Sequence, residues 1–284
     1  MRAVKIHFTM LLTVCVLFGC ASYQPKASVN FTGRATTWPI EFIENGLACV
    51  RANIGNNVGL MGIDTGLIRQ QMSIKPMLLS LGSARKTEHS VLLLDAMNGT
   101  FQRVYYQRLA TVEIGDITFT DVEVIPEKRE YVPTDVDGLI GLGLLKQFNL
   151  MIDYRKRTID VYPSDRQPLE VIDWHKMKFK LDAQQGIILV INAQGHSYNM
   201  LLDTGAWNPD DNSVISIRKQ RNKVVGEHAI EFLAGEMSIG EYTVDALFGS
   251  PVSFDGVLGA SFFFKNRVYI DFTHSEIWFV EQEG

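Results

Sequence analysis

The commoner signatures of function are scarce in this 284-residue chain. It has only three cysteines, Cys15, Cys20 and Cys49, too few for a disulfide framework. Long basic runs are missing and the formal charge is -5, which argues against nucleic acid as a partner. No two of the six histidines lie three to five residues apart, so the spacing of a zinc site is lacking. No Gly-x-Ser-x-Gly elbow occurs, and with it goes the usual frame for Ser-His-Asp hydrolysis. The apolar stretch from Phe8 to Phe18 is too short to span a bilayer. What remains is ordinary: 46% hydrophobic and 21% charged residues, enough to bury a real core in one or two domains.

The N-terminus reads as a targeting segment. Arg2 and Lys5 give a positive start, the apolar stretch follows, and Leu17-Phe18-Gly19-Cys20 resembles the lipobox of bacterial lipoproteins. That resemblance implies that residues 1–19 are removed and that Cys20 is lipidated as the first mature residue. Ala21, rather than Asp, implies anchoring in the outer membrane of a Gram-negative envelope, facing the periplasm. A plain secretory signal cleaved nearby is the alternative. Without residues 1–19 the balance is 25 basic to 32 acidic residues. Cys49 is then the one cysteine with a free thiol, expected as a small buried apolar residue on a strand. An intramolecular disulfide is then impossible.

Residues 20–37, polar and without periodicity, read as a tether. From Trp38 onward the chain is a succession of short β-rich runs broken by Gly, Asn and Asp. Ile74 to Leu81 and Leu142 to Phe148 are the main segments that suggest helix. The expected fold is therefore mostly β.

The chain repeats itself. Asn53, Met61 and Asp64 recur as Asn192, Met200 and Asp203 at an offset of 139. Ile114-Gly115 recurs as Ile239-Gly240 at 125, and Asp137-Gly138 recurs as Asp255-Gly256 at 118. The last offset persists through Ile152-Asp153 and Ile270-Asp271 to Ile159 and Ile277. Three colinear blocks divide the chain into two versions of one unit, 38–166 and 167–284, joined near Pro163 to Pro168. The offset falls from 139 to 125 after the first block, so the second unit is 14 residues shorter there. The first unit has Ser90 to Leu94 and Phe101 to Tyr106 at that place, two β-prone arms around Asn98-Gly99 that read as a long hairpin with a tight turn.

The blocks carry a chemical motif. Asp64-Thr65-Gly66 and Asp203-Thr204-Gly205 each have a downstream companion, Asp137-Gly138-Leu139-Ile140-Gly141 and Asp255-Gly256-Val257-Leu258-Gly259. Gly66 and Gly205 permit a tight turn that leaves a carboxylate at a strand end. Two carboxylates about 3 Å apart cannot both ionise, so the pair shares a proton and titrates as a unit. One can take a proton from water while the other donates to a carbonyl oxygen, which is general acid–base hydrolysis. No cofactor or metal is expected.

This order of motifs resembles the aspartic peptidases, both retropepsins and pepsins, over about Trp38 to Val280. The resemblance implies two retropepsin-like β-barrel lobes on one chain, with a cleft between them as in pepsins. It implies an endopeptidase with Asp64 and Asp203 as catalytic dyad, acting on an extended polypeptide, and a monomer. Thr65 and Thr204 would interlock across the lobe interface. Leu139-Ile140 and Val257-Leu258 would pack behind the catalytic loops. Asp95, Ala96, Met97, Asn98, Gly99 and Thr100 would form a flap over substrate.

Other residues have plainer readings. Leu67, after the first motif, is larger than the Ala, Ser or Thr usual in these families and is expected beside the carboxylate, where it could raise the dyad pKa, narrow the site or weaken the enzyme. A catalytically silent binding or assembly module of the same fold is the alternative function. Asp137, Asp255, Asp153 and Asp271 read as turn chemistry. Asp210-Asp211-Asn212 reads as a solvated loop rather than a cation site. Phe262-Phe263-Phe264 reads as core. Tyr105 or Tyr106 could line the cleft, with cross-strand packing as the alternative.

Overall fold

In the computed structural model the described residues are 27–43, 46–95, 100–127, 132–183, 186–206, 213–216, 230–234, 237–246 and 254–282. Cys20 and the rest of the N-terminal targeting segment lie outside them, as do Ala96 to Gly99 and Asp210 to Asn212. The described chain is mostly β. Among the described residues no helix is long and apolar enough to cross a membrane.

Alternation of apolar and polar residues makes strands that bury one face. Asn57–Asp64 and Ala48–Ile54 lie side by side, and in the latter Ala52 and Ile54 are buried while Arg51 and Asn53 are exposed. Six such strands in the first half form a closed ring. Their spatial order is Ile117–Pro126, Met72–Ile74, Gly138–Gly141, Asn57–Asp64, Ala48–Ile54 and Thr100–Ile114, and the last pairs back onto the first. Six strands of the second half repeat the circuit: Met237–Ala246, Ser213–Ser216, Gly256–Leu258, His196–Leu202, Gly186–Ala193 and Ile230–Ala234. Closure leaves neither ring with a free edge, which protects the short strands within it.

A third sheet of six strands joins the halves. Its order is His175–Lys178, Glu276–Glu281, Asn266–Asp271, Phe148–Asp153, Thr158–Pro163 and Thr36–Pro39. At its centre Met151 faces Tyr269, with Leu150 opposite Ile270 and Ile152 opposite Val268. Met151 and Tyr269 differ by 118, the repeat offset, so a local twofold axis passes between them. Leu150, Ile152, Val268 and Ile270 point into the main core with the rings. Met151 and Tyr269 point the other way, into a separate cluster. Burial on both faces explains why Phe148–Asp153 has no polar alternation.

Two expectations need correction. The tether does not extend to residue 37, because Ser28–Asn30 pairs with Ile117–Pro126 and Thr36–Pro39 pairs with Thr158–Pro163. Main-chain pairing to sheet edges orders a segment whose side chains show no periodicity. The suggested helices are also shorter, Pro76–Leu81 and Leu142–Leu145, since Ile74 and Phe148 belong to flanking strands.

Candidate active site

Each Asp-Thr-Gly begins where a ring strand runs out. Asn57–Asp64 is clamped in parallel by Gly138–Gly141, with Gly141 opposite Asp64. His196–Leu202 is clamped by Gly256–Leu258, and the Asp203 N–H continues the ladder by donating to Leu258 O at 2.9 Å. The chain then turns sharply: Leu67 N–H donates to Asp64 O and Ala206 N–H to Asp203 O, each at 3.2 Å. Asp at the first and Gly at the third position suit such a turn.

The companion motifs act as the floor. Asp137 Oδ2 accepts from Leu60 N–H and Asp255 Oδ2 from Asn199 N–H, both at 2.9 Å. These carboxylates satisfy strand donors. Asp153 and Asp271 likewise cap turns, accepting from Lys156 N–H and His274 N–H at 2.9 Å. At the far end of each companion, Leu142 N–H donates to Leu67 O at 3.0 Å and Ala260 N–H to Ala206 O at 2.9 Å. A Cβ on Gly141 would lie 2.7 Å from Leu67 O, and one on Gly259 would strike Ala206 O. Only glycine lets the floor approach so closely.

The two turns meet across the twofold axis. Thr65 N–H donates to Thr204 Oγ1 and Thr204 N–H to Thr65 Oγ1, each at 3.0 Å. The hydroxyls donate onward, Thr65 Oγ1 to Leu202 O at 2.8 Å and Thr204 Oγ1 to Ile63 O at 2.9 Å. All these groups are buried and each is satisfied by its counterpart, so neither turn can shift alone.

This lock brings the acidic side chains together. Asp64 and Asp203 are both 0% exposed. Each carboxyl reaches the opposite turn, and the Asp64 carboxyl is near enough to Asp203 to alter its proton affinity. A Cβ on Gly66 would lie 2.5 Å from Asp203 Cγ, and one on Gly205 would lie 2.6 Å from Asp64 Cγ. Each glycine therefore makes room for the opposite carboxyl. Asp203 Oδ1 accepts from Gly205 N–H at 2.8 Å and from Gly66 N–H at 3.1 Å, while Asp64 Oδ1 accepts from Leu67 N–H at 2.9 Å. Burial pushes the Asp203 carboxyl up to about 6. The Gly205 N–H, the Asp64 carboxyl and the Gly66 and Ala206 N–H groups pull the other way, because they favour the anion.

The Leu67 side chain is buried with Leu47, Cys49, Val132, Val136 and Leu139. What reaches Asp64 is the Leu67 backbone N–H, a donor that any non-proline residue supplies. Cys49 lies in the same cluster, and burial, followed by Asp135 and Glu41, pushes its thiol up to about 12.

The hairpin strands Arg85–Asp95 and Thr100–Ile114 pair as far as Asp95 opposite Thr100, and the expected tight turn at Asn98-Gly99 lies outside the described residues. Tyr106 is buried with Val91, Val104 and Ile125, whereas Tyr105 is exposed. Among the described residues no three His, Cys, Asp or Glu side chains converge to hold a metal ion. Sequence reasoning missed the donors to Asp203 Oδ1, since backbone N–H groups leave no mark in residue identity.

No family model matches the chain, and no curated protein matches it.

Proposed function

We propose that this chain is an aspartic endopeptidase with two similar lobes, a pepsin-like arrangement of retropepsin-like barrels, held at the envelope by lipid on Cys20. The observation that carries the reading is the buried contact between Asp64 and Asp203, with both flanking glycines opened for it.

The chemistry follows from that contact. The pair holds one proton between two carboxyls, because burial and proximity both oppose a second charge. One carboxyl is the base and the other carries the proton. The base takes a proton from a water as its oxygen attacks the scissile carbonyl carbon, and the other carboxyl protonates the carbonyl oxygen. The tetrahedral diol then collapses: the C–N bond breaks, the amine leaves protonated by the first carboxyl, and the second recovers its proton from the diol. An extended peptide fits such a cleft through strand-like main-chain hydrogen bonds. The hairpin Arg85–Asp95 and Thr100–Ile114 is the lid in this reading, opening to admit substrate to carboxyls that are otherwise buried.

A silent binding module is the competing reading. It drew on the bulky Leu67 after the first motif, whose side chain is buried in an apolar cluster. Incubation of the protein with a mixed peptide library from acid to neutral pH, with and without pepstatin, separates the two. Cleavage that pepstatin blocks and Asp64→Asn lacks is the expected result. Identical product profiles for wild type and Asp64→Asn would remove the enzyme.

A further inference from the structure

The hairpin Arg85–Asp95 and Thr100–Ile114 changes character part-way along. At its foot the second strand is held on both sides. Arg108 pairs with Glu123 on one side and Arg85 on the other, and Gln107 pairs with Val124 and Lys86. Gln107 is the last residue so placed. From Ser90 opposite Tyr105 outward, the two strands pair with each other alone among the described residues. A two-stranded ribbon is marginal by itself, so it opens at lower cost than the ring beneath it.

The ladder is interrupted at the same place. Lys86 faces Gln107 and Ser90 faces Tyr105, so Thr87, Glu88 and His89 together oppose Tyr106. A bulge of this kind bends its strand and adds twist. One hydroxyl spans it: Thr87 Oγ1 donates to Tyr106 O at 3.1 Å and accepts from His89 N–H at 3.2 Å. Glu88 and His89 are exposed, so the bulge changes shape without disturbing a packed core. Packing divides there too. Leu109, Val122 and Val124 at the foot belong to the main core. Val91 and Val104, one pair beyond Ser90 and Tyr105, form a separate small cluster with Tyr106 over Ile125 of the ring.

We propose that the bulge Thr87–His89 is a hinge on which the outer ribbon swings as a unit. Val91, Val104 and Tyr106 over Ile125 are the seat to which the ribbon returns, and Thr87 Oγ1 is the clasp that holds the seated shape. Hinges of this sort are a few residues that absorb a change in backbone angles while the elements on either side stay rigid. Such a hinge deepens the lid of the proposed peptidase and rests on that reading for its effect on substrate; the motion itself is read without catalysis.

Hydrogen exchange followed by mass spectrometry on the full chain compares the ribbon, 90–95 and 100–105, with the foot, 107–124. Thr87→Val removes the clasp and is expected to speed ribbon exchange several-fold while the foot stays as in wild type. Thr87→Ser keeps the hydroxyl and should match wild type. Val104→Ala trims the seat and should speed the ribbon alone. Deletion of Glu88 and His89 together restores a regular ladder with Val91 still facing Val104, because strand side chains alternate with a period of two. This deletion is expected to slow ribbon exchange below wild type and to lower kcat/KM on a cleaved peptide several-fold. Equal acceleration of ribbon and foot in Thr87→Val would mean that the hairpin opens with the ring, and overturns the hinge. So does unchanged ribbon exchange in Thr87→Val or after the deletion. Slowed exchange with unchanged kcat/KM would leave a hinge that is not the lid. A wild type that cleaves no peptide removes the peptidase and not the hinge, which exchange alone decides.

Discussion

The two halves use one scaffold and fill it with different side chains. Ring order, floor motif and turn geometry match strand for strand, and even the left-handed positions coincide, Gly55 with Gln194 and Arg157 with Ser275. The differences are few. Leu67 fills an apolar cluster, where its counterpart Ala206 is small. Among the described residues the long hairpin belongs to the first half. Duplication thus supplies symmetry of position, and local changes set the surroundings of each half apart.

The sharpest way to break that comparison is to disable each acid in turn. Asp64→Asn and Asp203→Asn are each expected to lower kcat by about 1,000-fold or more, because groups acting as a unit fail together. Retention of substantial turnover by either one, measured on a peptide that wild type cleaves, would show that the carboxyls do not act as a pair.

Glycine substitution comes next. Gly66→Ala and Gly205→Ala each place a methyl group against the opposite carboxyl and are expected to cost on the order of 3 kcal/mol, nearly equally. Denaturant unfolding of both variants checks this, and a large inequality would mean that one turn yields more than the other.

Leu67→Ala sharpens the asymmetry. It opens a cavity among Leu47, Cys49 and Leu139 and should cost about 2 to 4 kcal/mol in stability. The donor to Asp64 is main chain, so kcat/KM on a peptide should stay near wild type below the melting range. A changed pH profile in this variant would place the side chain at the carboxyls after all.

The smallest effect is linkage. Asp203 holds its proton more tightly folded than unfolded, so that contribution to stability is full below pH 3.8 and is lost as pH rises through about 6. The stability of wild type relative to Asp203→Asn should decline across that window, followed by denaturant titration at each pH. A difference that stays level would show that burial does not set the protonation of Asp203.

Much of this was legible in the residues, unevenly. The mostly β character, the duplication and the two Asp-Thr-Gly turns follow from identities that recur at fixed offsets. The strand Thr36–Pro39 escaped notice because its counterpart, His175–Lys178, shares no residue with it at corresponding positions. Both are held by main-chain ladders at sheet edges, which are indifferent to side chains.

The sequence by itself determined which groups could do chemistry here, since strand periodicity, turn-forming glycines and paired acids are properties of local order. Tertiary structure alone decided that the acids meet. That contact is made by residues 139 apart through threonine hydroxyls, carbonyls and N–H groups, and a bond between main chains can be read only after the chain has folded.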